Sequence, residues 1–421
     1  GFVFGDAGDQ NVIKGGSYIG NGDEDGPEIN LGFEPQWVLI KNASSSEGWL
    51  MFDSMRGIAT GGNASRLEAN SQNAEDSNTW LDLTSTGFKI TRDSGAINDS
   101  GNTYIFTCIR RSDGYVGKPP ELGSSVFTPV YDTANAPMFK ANNHVVDFSL
   151  QKNSNFATQA VDWNATARLI SGKKLTPNTA VVESDNQYQV FDYQSGMSSY
   201  TLGSGIRFGW LWKRYAGFDV VAYSGNGVTG RQIPHSMGVA PEMMWVKRTN
   251  ANENWYVYHK GHNGGSGPEH WFTSINTNGV EQDHGPAWND TIPTSTHFTL
   301  GADTAVNSGG TTRYIACLFA STDVSKVGSY TGNGTSGHAI TVGFQPRFLI
   351  VKAASTTSDW SVFDTTRGWA SGNDKQLALN STAAEVTSYD YADPTSTGFT
   401  INITGNAMNG SGETYIYYCH A

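Results

Sequence analysis

One feature constrains the fold of this chain more than any other: a unit of about 100 residues recurs, with marker residues in a fixed order. The markers are a lysine, a tryptophan, an asparagine and a glutamate in each copy: Lys41, Trp49, Asn70 and Glu75; Lys247, Trp255, Asn276 and Glu281; and Lys352, Trp360, Asn380 and Glu385. The glutamate follows the asparagine by the same interval every time. Such self-similarity is typical of a tandem array in which each copy is one structural module.

The spacing of the copies predicts a further, diverged copy. The interval between the first two marked copies is about twice the interval between the last two. Asn178 and Glu183 keep the asparagine-to-glutamate spacing in that gap, and GWLWKR ending at Arg214 stands where FTCIRR ending at Arg111 stands in the first copy. We therefore predict a lead-in and four modules: residues 1–15, then 16–112 (module 1), 113–214 (module 2), 215–325 (module 3) and 326–421 (module 4). Because the lead-in is similar to the stretch before module 4, we expect the chain to begin partway through a longer protein.

Short apolar runs separated by turn residues predict an all-β fold. Hydrophobic residues make up 38% of the chain and charged residues 16%, and 49 glycines lie mostly between the apolar runs. The run WVLIK ending at Lys41 is apolar on both faces, which favours a central strand, and the alternating run WLMFD ending at Asp53 is its predicted hairpin partner. Roughly six to eight such runs per module are typical of a sandwich. The predicted fold class is all-β, a tandem array of four β-sandwich, jelly-roll-like modules in series.

Two local patterns predict details of each module. An Asn-Gly pair near the start, ending at Gly22, Gly227 or Gly334, predicts a tight hairpin turn with positive φ angles. The closing run of module 1 places Tyr104, Phe106 and Cys108 on one face of a strand, and Ile105, Thr107 and Ile109 on the other. No convincing helical pattern is longer than two turns.

Charge and cysteine usage exclude several classes of protein. A formal net charge of -12 argues against a nucleic-acid partner, since such binding depends on Lys and Arg. Cys108, Cys317 and Cys419 occupy the closing runs of separate modules, so we expect buried reduced thiols rather than disulfides. Zinc would need clustered ligands, which the histidines do not provide. No apolar run is long enough to cross a bilayer, so we expect no membrane insertion.

The sequence contains no catalytic or phosphate-binding motif above background, and we expect a non-enzyme without cofactor or metal. Two patterns offer weak alternatives. Asp53 and Glu75 are carboxylates that a glycosidase would need at a set separation, which sequence does not give. The stretch from Asn21 through Asp23 and Asp25 imitates the start of a calcium loop but lacks the closing glutamate, so we expect a solvated acidic turn.

The strings DSMRG and DTTRG place Arg56 three residues after Asp53 and Arg367 three residues after Asp364. An arginine can clamp a neighbouring carboxylate, or it can present its charge to a sugar or an anion. We favour a salt bridge that pins the loop, and we keep ligand contact as the alternative. Both arginines therefore stay among the candidate ligand-binding residues.

Aromatic residues that do not repeat between modules are the other candidates for ligand binding. A residue that every copy needs is more often packing than recognition, whereas exposed aromatic faces stack on sugars or anchor interfaces. The non-repeating candidates are Trp80, Trp271, Trp288, Trp369, Tyr389 and Tyr391. The alternative for each of them is a place in a core or an interface.

Several strings together resemble a known family. They include LGFEPQWVLIK, TSTGF, YIFTCIRR, GWLWKRYAGFDVVAYSGNG, GVAPEMMWVK, FDTTRGWASG and the terminal YIYYCHA. Over nearly its whole length the chain is similar to repeat-bearing virion proteins of tailed phages of marine bacteria, cyanophages among them, which include tail fibre and structural proteins. Module 2 departs from the pattern, since APMFKANNHVVDFSLQK replaces its G-F-x-P opening. The family carries no established catalytic residues to transfer.

The resemblance implies a bacteriophage virion protein, located in the extracellular phage particle. The leading expectation is a tail fibre or receptor-binding protein whose repeated modules raise avidity during host attachment. Its expected partners are further copies of itself as a homotrimer, other virion proteins, and a host surface glycan or outer-membrane protein. The alternatives are a capsid or tail decoration protein that contacts other virion subunits and, with less support, a polysaccharide depolymerase.

Overall fold

The computed structural model describes residues 12–110, 120, 122–132, 144–152, 160–185, 189–191, 196–199 and 207–421. The fold is all-β, as predicted: antiparallel sheets dominate, with 42% of residues in strands and 5% in helices. Most of the lead-in lies outside the described residues. The helices of the described ranges are all too short or too polar to cross a membrane.

Module 1 is a sandwich of a six-stranded and a three-stranded sheet. Its strands are β1 (Ile13–Ile19), β2 (Glu28–Asn30), β3 (Pro35–Asn42), β4 (Trp49–Asp53), β5 (Ala64–Glu68), β6 (Asp76–Asn78), β7 (Leu81–Thr84), β8 (Gly87–Ile90) and β9 (Thr103–Arg110). The large sheet has the order β1-β9-β3-β4-β5-β6, and the small one β2-β8-β7. The first strand thus begins inside the segment that the sequence assigned to the lead-in.

Module 2 is the most divergent in its described parts. Its elements are a 3-10 turn (Gly123–Ser125), β10 (Phe127–Asp132), β11 (Phe148–Lys152), β12 (Trp163–Ala167), a 3-10 turn (Arg168–Ile170), β13 (Lys173–Lys174), β14 (Ser184–Asp185), β15 (Gln189–Val190), β16 (Ser198–Ser199) and β17 (Arg207–Trp212). Its main sheet has the order β10-β17-β11-β12, and β13-β14 and β15-β16 form two small ladders. The opening, closing and central strands therefore keep the arrangement of module 1.

Modules 3 and 4 repeat the sandwich of module 1. Module 3 contains β18 (Phe218–Ser224), β19 (Arg231–Pro234), β20 (Met243–Arg248), β21 (Tyr256–His259), 3-10 turns (His262–Gly265 and Pro268–His270), β22 (Trp271–Ser274), β23 (Gln282–Asp283), β24 (His297–Leu300), α1 (Thr304–Asn307) and β25 (Arg313–Phe319). Module 4 contains β26 (Ser325–Thr331), β27 (His338–Thr341), β28 (Phe348–Ala353), β29 (Ser361–Asp364), β30 (Leu377–Ala378), β31 (Ala392–Thr395), β32 (Gly398–Ile401) and β33 (Thr414–His420). Their sheets are β18-β25-β20-β21-β22-β23 with β19-β24, and β26-β33-β28-β29-β30 with β27-β32-β31.

The predicted strand patterns are confirmed in the large sheets. The apolar run of module 1, β3, lies between β9 and β4 and pairs with β4 as the expected hairpin. Along β9 the side chains of Tyr104, Phe106 and Cys108 are buried while the alternate residues are exposed. The three cysteines are free and buried, as expected.

The Asn-Gly pairs correct one prediction. Gly22, Gly227 and Gly334 have the expected positive φ, at 67°, 67° and 69°. However, β1 pairs with β9 and β2 pairs with β8, so the segment between β1 and β2 crosses from one sheet to the other instead of forming a hairpin. A buried asparagine holds the crossing, because the Oδ1 of Asn98 accepts the N–H of Asn21 at 3.0 Å. The Asn-Gly pair therefore lies in a connection between the two sheets of the sandwich, not in a hairpin turn.

Modules 2, 3 and 4 close into a ring through three copies of one joint, which is more compact than the predicted series. In each joint the indole Nε1 of a tryptophan donates a hydrogen bond to a backbone carbonyl of the neighbouring module. These bonds join Trp163 to Ala378 at 2.9 Å, Trp255 to Thr176 at 3.3 Å and Trp360 to Ser274 at 3.0 Å. Module 2 thus contacts module 4, module 4 contacts module 3, and module 3 contacts module 2, so the head-to-tail series closes after three steps.

Buried lysines complete the same joints. Lys152 Nζ donates to the carbonyl of Ala383 at 3.0 Å, Lys247 to that of Ala180 at 3.2 Å, and Lys352 to that of Asn278 at 3.4 Å. All three side chains are fully buried, and burial lowers the pKa of each to about 8. Because a buried ammonium group is costly unless its hydrogens are bonded, these carbonyls set where the lysines lie.

One aromatic core fills the centre of the ring, where the outer faces of the three large sheets meet. Ring pairs cross all three module boundaries, with centroid separations of 5.1 Å for Phe127 and Phe348, 5.8 Å for Phe148 and Phe218, and 4.9 Å for Phe319 and Tyr418. The interiors of the sandwiches of modules 3 and 4 form separate cores. Each ring module therefore buries both faces of its large sheet.

Module 1 lies outside the ring, against modules 2 and 3. The backbone N–H of Thr60 donates to the carbonyl of Leu169 at 2.7 Å, and Arg214 pairs with Glu34 at 2.7 Å. Strand β7 packs on β18 of module 3. These contacts form one side of the cavity described below.

Candidate functional site

The two arginines of the DSMRG and DTTRG strings form the salt bridges that the sequence favoured. Arg56 Nε lies 2.5 Å from Asp53 Oδ2, and its Nη1 lies 2.9 Å from Glu75. Arg367 repeats both contacts at 2.5 Å and 2.9 Å, with Asp364 and Glu385 as its partners. The marker glutamates of modules 1 and 4 are therefore the second carboxylates of a structural clamp.

The two clamps differ in exposure. The side chain of Arg367 is 1% exposed and that of Arg56 is 25% exposed. Arg367 also packs 5.4 Å from the ring of Trp210 in module 2, inside the joint between modules 2 and 4. Arg367 is therefore too deeply buried to contact a ligand, whereas part of the Arg56 side chain is exposed to solvent.

Three of the six aromatic candidates are buried, which is the core placement that the sequence analysis kept open for each of them. Trp80 is 4% exposed and lies between the guanidinium groups of Arg66 and Arg92, at 4.2 Å and 4.5 Å. Trp288 and Trp369 lie in the sandwich cores of modules 3 and 4. A non-repeating aromatic is thus not always a surface residue, because each sandwich fills its own core with different side chains.

The other three aromatic candidates reach the surface in part. Trp271 is partly exposed, and its carbonyl accepts the Nε1–H of Trp288 at 3.0 Å. Tyr389 is 57% exposed and lies edge-on to the partly buried Tyr391, with ring centroids 5.8 Å apart. The structure thus brings together the tyrosine pair and the pair of Trp271 and Trp288, and none of the eight sequence candidates lines the cavity described next.

A polar cavity of about 430 Å³ lies at the junction of modules 1 and 3. Its lining comes from the acidic turn and strands of module 1 and from the loops at one end of module 3. The lining residues are Asp23, Glu24, Asp25, Gly61, Gly62, Thr79, Asp82, Lys89, Thr91, Ser224, Thr311 and Arg313. Carboxylates, cations and hydroxyls alternate around it, so the cavity offers hydrogen-bond donors and acceptors at short intervals.

Asp82 is the most perturbed group of the cavity. Its side chain is buried, and its Oδ1 accepts the N–H of Gly61 at 2.8 Å. Burial raises the pKa of Asp82 to about 6, against the weaker opposing effects of that hydrogen bond and of Arg313. Because its pKa lies close to neutrality, Asp82 holds a proton in a substantial fraction of molecules at mildly acidic pH.

Arg313, Lys89 and Asp25 of the cavity are held by structural pairs. Arg313 Nη2 lies 2.9 Å from Glu183 of module 2, and Lys89 pairs with Asp25. The acidic turn is a series of side-chain-capped turns, with Asp23 Oδ1 accepting the N–H of Asp25 at 2.8 Å. This agrees with the predicted acidic turn, and no cluster of three or more metal-ligating side chains occurs in the described ranges.

The cavity was not predicted from the sequence, although the acidic turn that was singled out there supplies Asp23 and Asp25 to its lining. Asp82 lies in the strand sequence LDLT, and Arg313 opens β25 of another module. Their proximity depends on how module 1 docks on the ring, which no local pattern records. For Asp82 itself, the available signal was an aspartate inside an otherwise apolar run.

By its fold the chain is an array of antiparallel β-sandwich modules. It is a member of the family described as domain of unknown function DUF7483, whose profile matches residues 8–112 and 177–421. The unmatched interval includes the first half of module 2, where the repeat diverges most. No curated protein matches the chain.

Proposed function

We propose that this protein is a non-catalytic virion appendage protein, of the tail fibre or receptor-binding type, that attaches to the host surface through its β-sandwich modules. The observation that carries the proposal is the polar cavity between modules 1 and 3. Module 3, which forms one wall of the cavity, is held in the ring by its joints with modules 2 and 4. A ligand that binds in the cavity therefore meets a preorganised site. The resemblance to repeat-bearing virion proteins supports the other part of the proposal, that the site acts on a phage particle.

The lining of the cavity suits a ligand rich in hydroxyl groups. Carboxylates accept hydrogen bonds from sugar hydroxyls, while Arg313 and Lys89 donate to sugar oxygens. Thr91 Oγ1 is buried and has no hydrogen-bond partner among the described residues, so a ligand group can bind it without displacing an internal bond. A surface polysaccharide therefore fits this cavity better than an apolar ligand.

Two observations favour a binding role over hydrolysis. Asp53 and Glu75, the paired carboxylates found in the sequence, both bind Arg56, so neither is free to act as acid or nucleophile. Within the cavity, Asp25 is paired with Lys89 and Asp82 is capped by Gly61. A depolymerase would need two carboxylates free to face one glycosidic bond.

A decoration protein of the capsid or tail is the second candidate. The outer face of the large sheet of module 1 carries exposed apolar side chains, including Ile105 and Ile109 at 41% and 37% exposure. Exposed apolar surface of this kind is typical of protein contacts. The two candidates are compatible, because the cavity and this face lie on different parts of module 1.

Cell binding tests the proposal. Labelled protein is titrated onto a panel of marine bacteria, cyanobacteria included, before and after enzymatic removal of surface polysaccharide. We expect saturable binding that is lost on removal and weakened by Thr91→Val, which deletes one cavity hydroxyl. Thr84→Val is the matched control, since Thr84 Oγ1 is also buried without a partner among the described residues but does not line the cavity.

The outcomes separate the candidates. Binding that survives polysaccharide removal indicates a protein receptor, and release of oligosaccharides during the incubation would restore the depolymerase alternative. Absence of binding to every strain contradicts attachment and leaves the decoration role. Equal loss of binding in the Thr84 and Thr91 variants would show that the cavity is not the site.

A further inference from the structure

Module 1 exposes the face that the ring modules bury. We call it the outer face of module 1 and define it by Ile13, Leu39, Trp49, Met51, Ile105 and Ile109. Ile105 and Ile109 are 41% and 37% exposed. Their counterparts on β25 of module 3, Ile315 and Phe319, are 2% and 0% exposed in the central core. The same sheet position is therefore covered in the ring and open in module 1.

Module 1 also retains the donor half of the ring joint. Trp49 occupies the position of Trp360. In both modules the backbone N–H of the tryptophan donates to the Oδ1 of the marker asparagine, at 2.8 Å for Asn70 and 2.9 Å for Asn380. Trp360 Nε1 donates to the next module, whereas Trp49 is 38% exposed and its Nε1 has no hydrogen-bond partner within the described ranges. The donor is thus in place and unused.

The acceptor half is present as well. In the ring, the accepting carbonyls of Ser274 and Ala378 lie two residues before the marker asparagine, at the ends of β22 and β30. The equivalent residue of module 1 is Glu68, at the end of β5. Module 1 therefore carries both complementary halves of a head-to-tail joint.

The marker lysine has different hydrogen-bond partners in module 1, where the joint is open, and in module 4, where it is formed. Lys352 Nζ donates to the carbonyl of Asn278 in module 3 as well as to that of Ala353 in its own module, whereas the described partners of Lys41 Nζ, the carbonyls of Asn42 and Ser45 at 2.5 Å and 3.1 Å, both lie in module 1. Lys41 is also only partly buried. An ammonium group that neighbouring carbonyls hold at the rim of the face can be redirected to a partner when the face is covered.

The outer face is less aromatic than its counterparts. Thr107 and Ile109 stand where module 2 has Trp210 and Trp212 and where module 4 has Tyr418 and His420. A face that is permanently covered can carry large aromatics, whereas one that is exposed before assembly must stay soluble. The smaller residues of module 1 fit a surface that is covered by association between chains.

The resemblance led us to expect a homotrimer, and from these observations we propose the surface that forms it: three copies of this chain associate through the outer faces of their first modules, in an intermolecular ring that repeats the ring of modules 2, 3 and 4. A joint with two different complementary halves generates a closed ring when its rotation closes. The three joints inside one chain show that this joint closes after three modules. The inference goes beyond the attachment role and holds whether or not the cavity binds a glycan.

Native mass spectrometry and light scattering on residues 1–421 test the proposal. We expect a trimer for the wild type, and monomers for Ile105→Lys combined with Ile109→Lys, because three pairs of lysines would be forced together in the ring. Both positions are exposed in the single chain, so the thermal unfolding of the variant should match that of the wild type. Ile292→Lys is the matched control, since Ile292 is 58% exposed in module 3, and it should remain trimeric.

A second variant probes the joint itself. Trp49→Phe keeps an aromatic side chain but removes the indole N–H donor. We expect the dissociation constant to rise about fivefold per joint, which is the effect of losing one hydrogen bond of about 1 kcal/mol. A monomeric or dimeric wild type at high concentration would overturn the proposal, as would a trimer that the double lysine variant leaves intact. A monomer that still binds cells would leave the attachment role standing.

Discussion

The same residue type has two environments in this protein, and the marker tryptophans show it best. Trp360 is 1% exposed and donates its indole N–H across a module boundary at 3.0 Å, whereas Trp49 is 38% exposed and makes no such bond in the described structure. The local backbone around both is held by the same asparagine cap. The difference between them therefore lies in whether a neighbouring module covers the indole.

Trp360→Phe tests this difference. The substitution leaves the carbonyl of Ser274 without its indole donor in a buried joint, so we expect the free energy of unfolding to fall by about 1–3 kcal/mol. Trp49→Phe is the matched control and should change the stability of the monomer by a few tenths of a kcal/mol. Urea titration under monomeric conditions measures both. Equal losses would show that the ring joint contributes nothing specific.

Asp82→Asn tests the buried carboxylate of the cavity. The pKa of Asp82 in the folded protein, about 6, lies above its unfolded value near ~4, so the folded state binds the proton more tightly. The ionised group is therefore destabilising above pH 6, and this effect fades as the pH falls toward 4. The amide keeps an acceptor for the Gly61 N–H, and we expect a gain of up to about 3 kcal/mol at pH 8 and little change at pH 4.

Urea titrations of wild type and variant at the two pH values measure this gain. The exposed Asp93→Asn serves as the control and should leave both values unchanged. A gain for Asp82→Asn of the same size at pH 4 and pH 8 would contradict a raised pKa.

At the scale of elements, the recurring TSTGF string marks a close crossing of strands in the small sheet. Gly398 begins β32, opposite Thr341 of β27, and a Cβ at this position would lie 1.9 Å from the carbonyl oxygen of Ile340. Gly87 of module 1 has the same crossing, 1.8 Å from the carbonyl of Ile29. Glycine is needed at these positions because a Cβ would clash with the facing carbonyl, and not because of an unusual φ angle.

Gly398→Ala should therefore destabilise module 4. The clash is with backbone, which moves only if the pairing of β27 and β32 shifts, and we expect a loss of about 2 kcal/mol. Differential scanning calorimetry detects it as a lowered Tm. Gly405→Ala is the matched control, because a Cβ there meets nothing within 4 Å. A loss in the control as large as in the test variant would show that the close crossing is not the cause, since the entropy effect of replacing glycine by alanine is stabilising.

At the scale of the whole molecule, buried neutral histidines connect the ring to pH. His259 Nε2 lies 3.2 Å from the carbonyl of Tyr417 across the boundary of modules 3 and 4, and His420 Nε2 lies 3.1 Å from the hydroxyl of Tyr215. Burial lowers the pKa of His259 to about 4 and that of His420 to about 3. Both imidazoles are held neutral at positions where modules meet.

The ring should consequently lose stability in acid. A histidine whose folded pKa lies below its unfolded value stabilises the folded state above pH 6.5, and this contribution is lost as the pH falls toward 4. His259→Gln keeps a hydrogen-bond donor for Tyr417 but cannot be protonated, so the variant should lose about 3 kcal/mol less than the wild type between pH 7 and pH 4. Urea titration at the two pH values measures this difference.

The exposed His270→Gln is the control for this prediction. His270 pairs with Asp290 at the surface, where an ion pair is worth about 1 kcal/mol or less. Its variant should follow the wild-type pH dependence closely. If His259→Gln also followed the wild-type curve, the pKa of His259 would be the same in the folded and the unfolded protein, which would contradict the prediction.

The sequence by itself determined the all-β fold and the strand pattern, and it marked the repeated Trp, Lys and Asn positions without predicting the joint that they form. It marked them because the joint uses Trp, Lys and Asn at fixed backbone positions, and the requirement recurs in every copy. Tertiary structure alone decided what those residues contact, because a carbonyl acceptor such as that of Ser274 leaves no trace in side-chain identity. It also decided that Trp288 and Trp369 lie in cores, and that Asp82 and Arg313 share a cavity. These depend on how sheets stack and modules dock, which is set by packing between residues far apart in the chain.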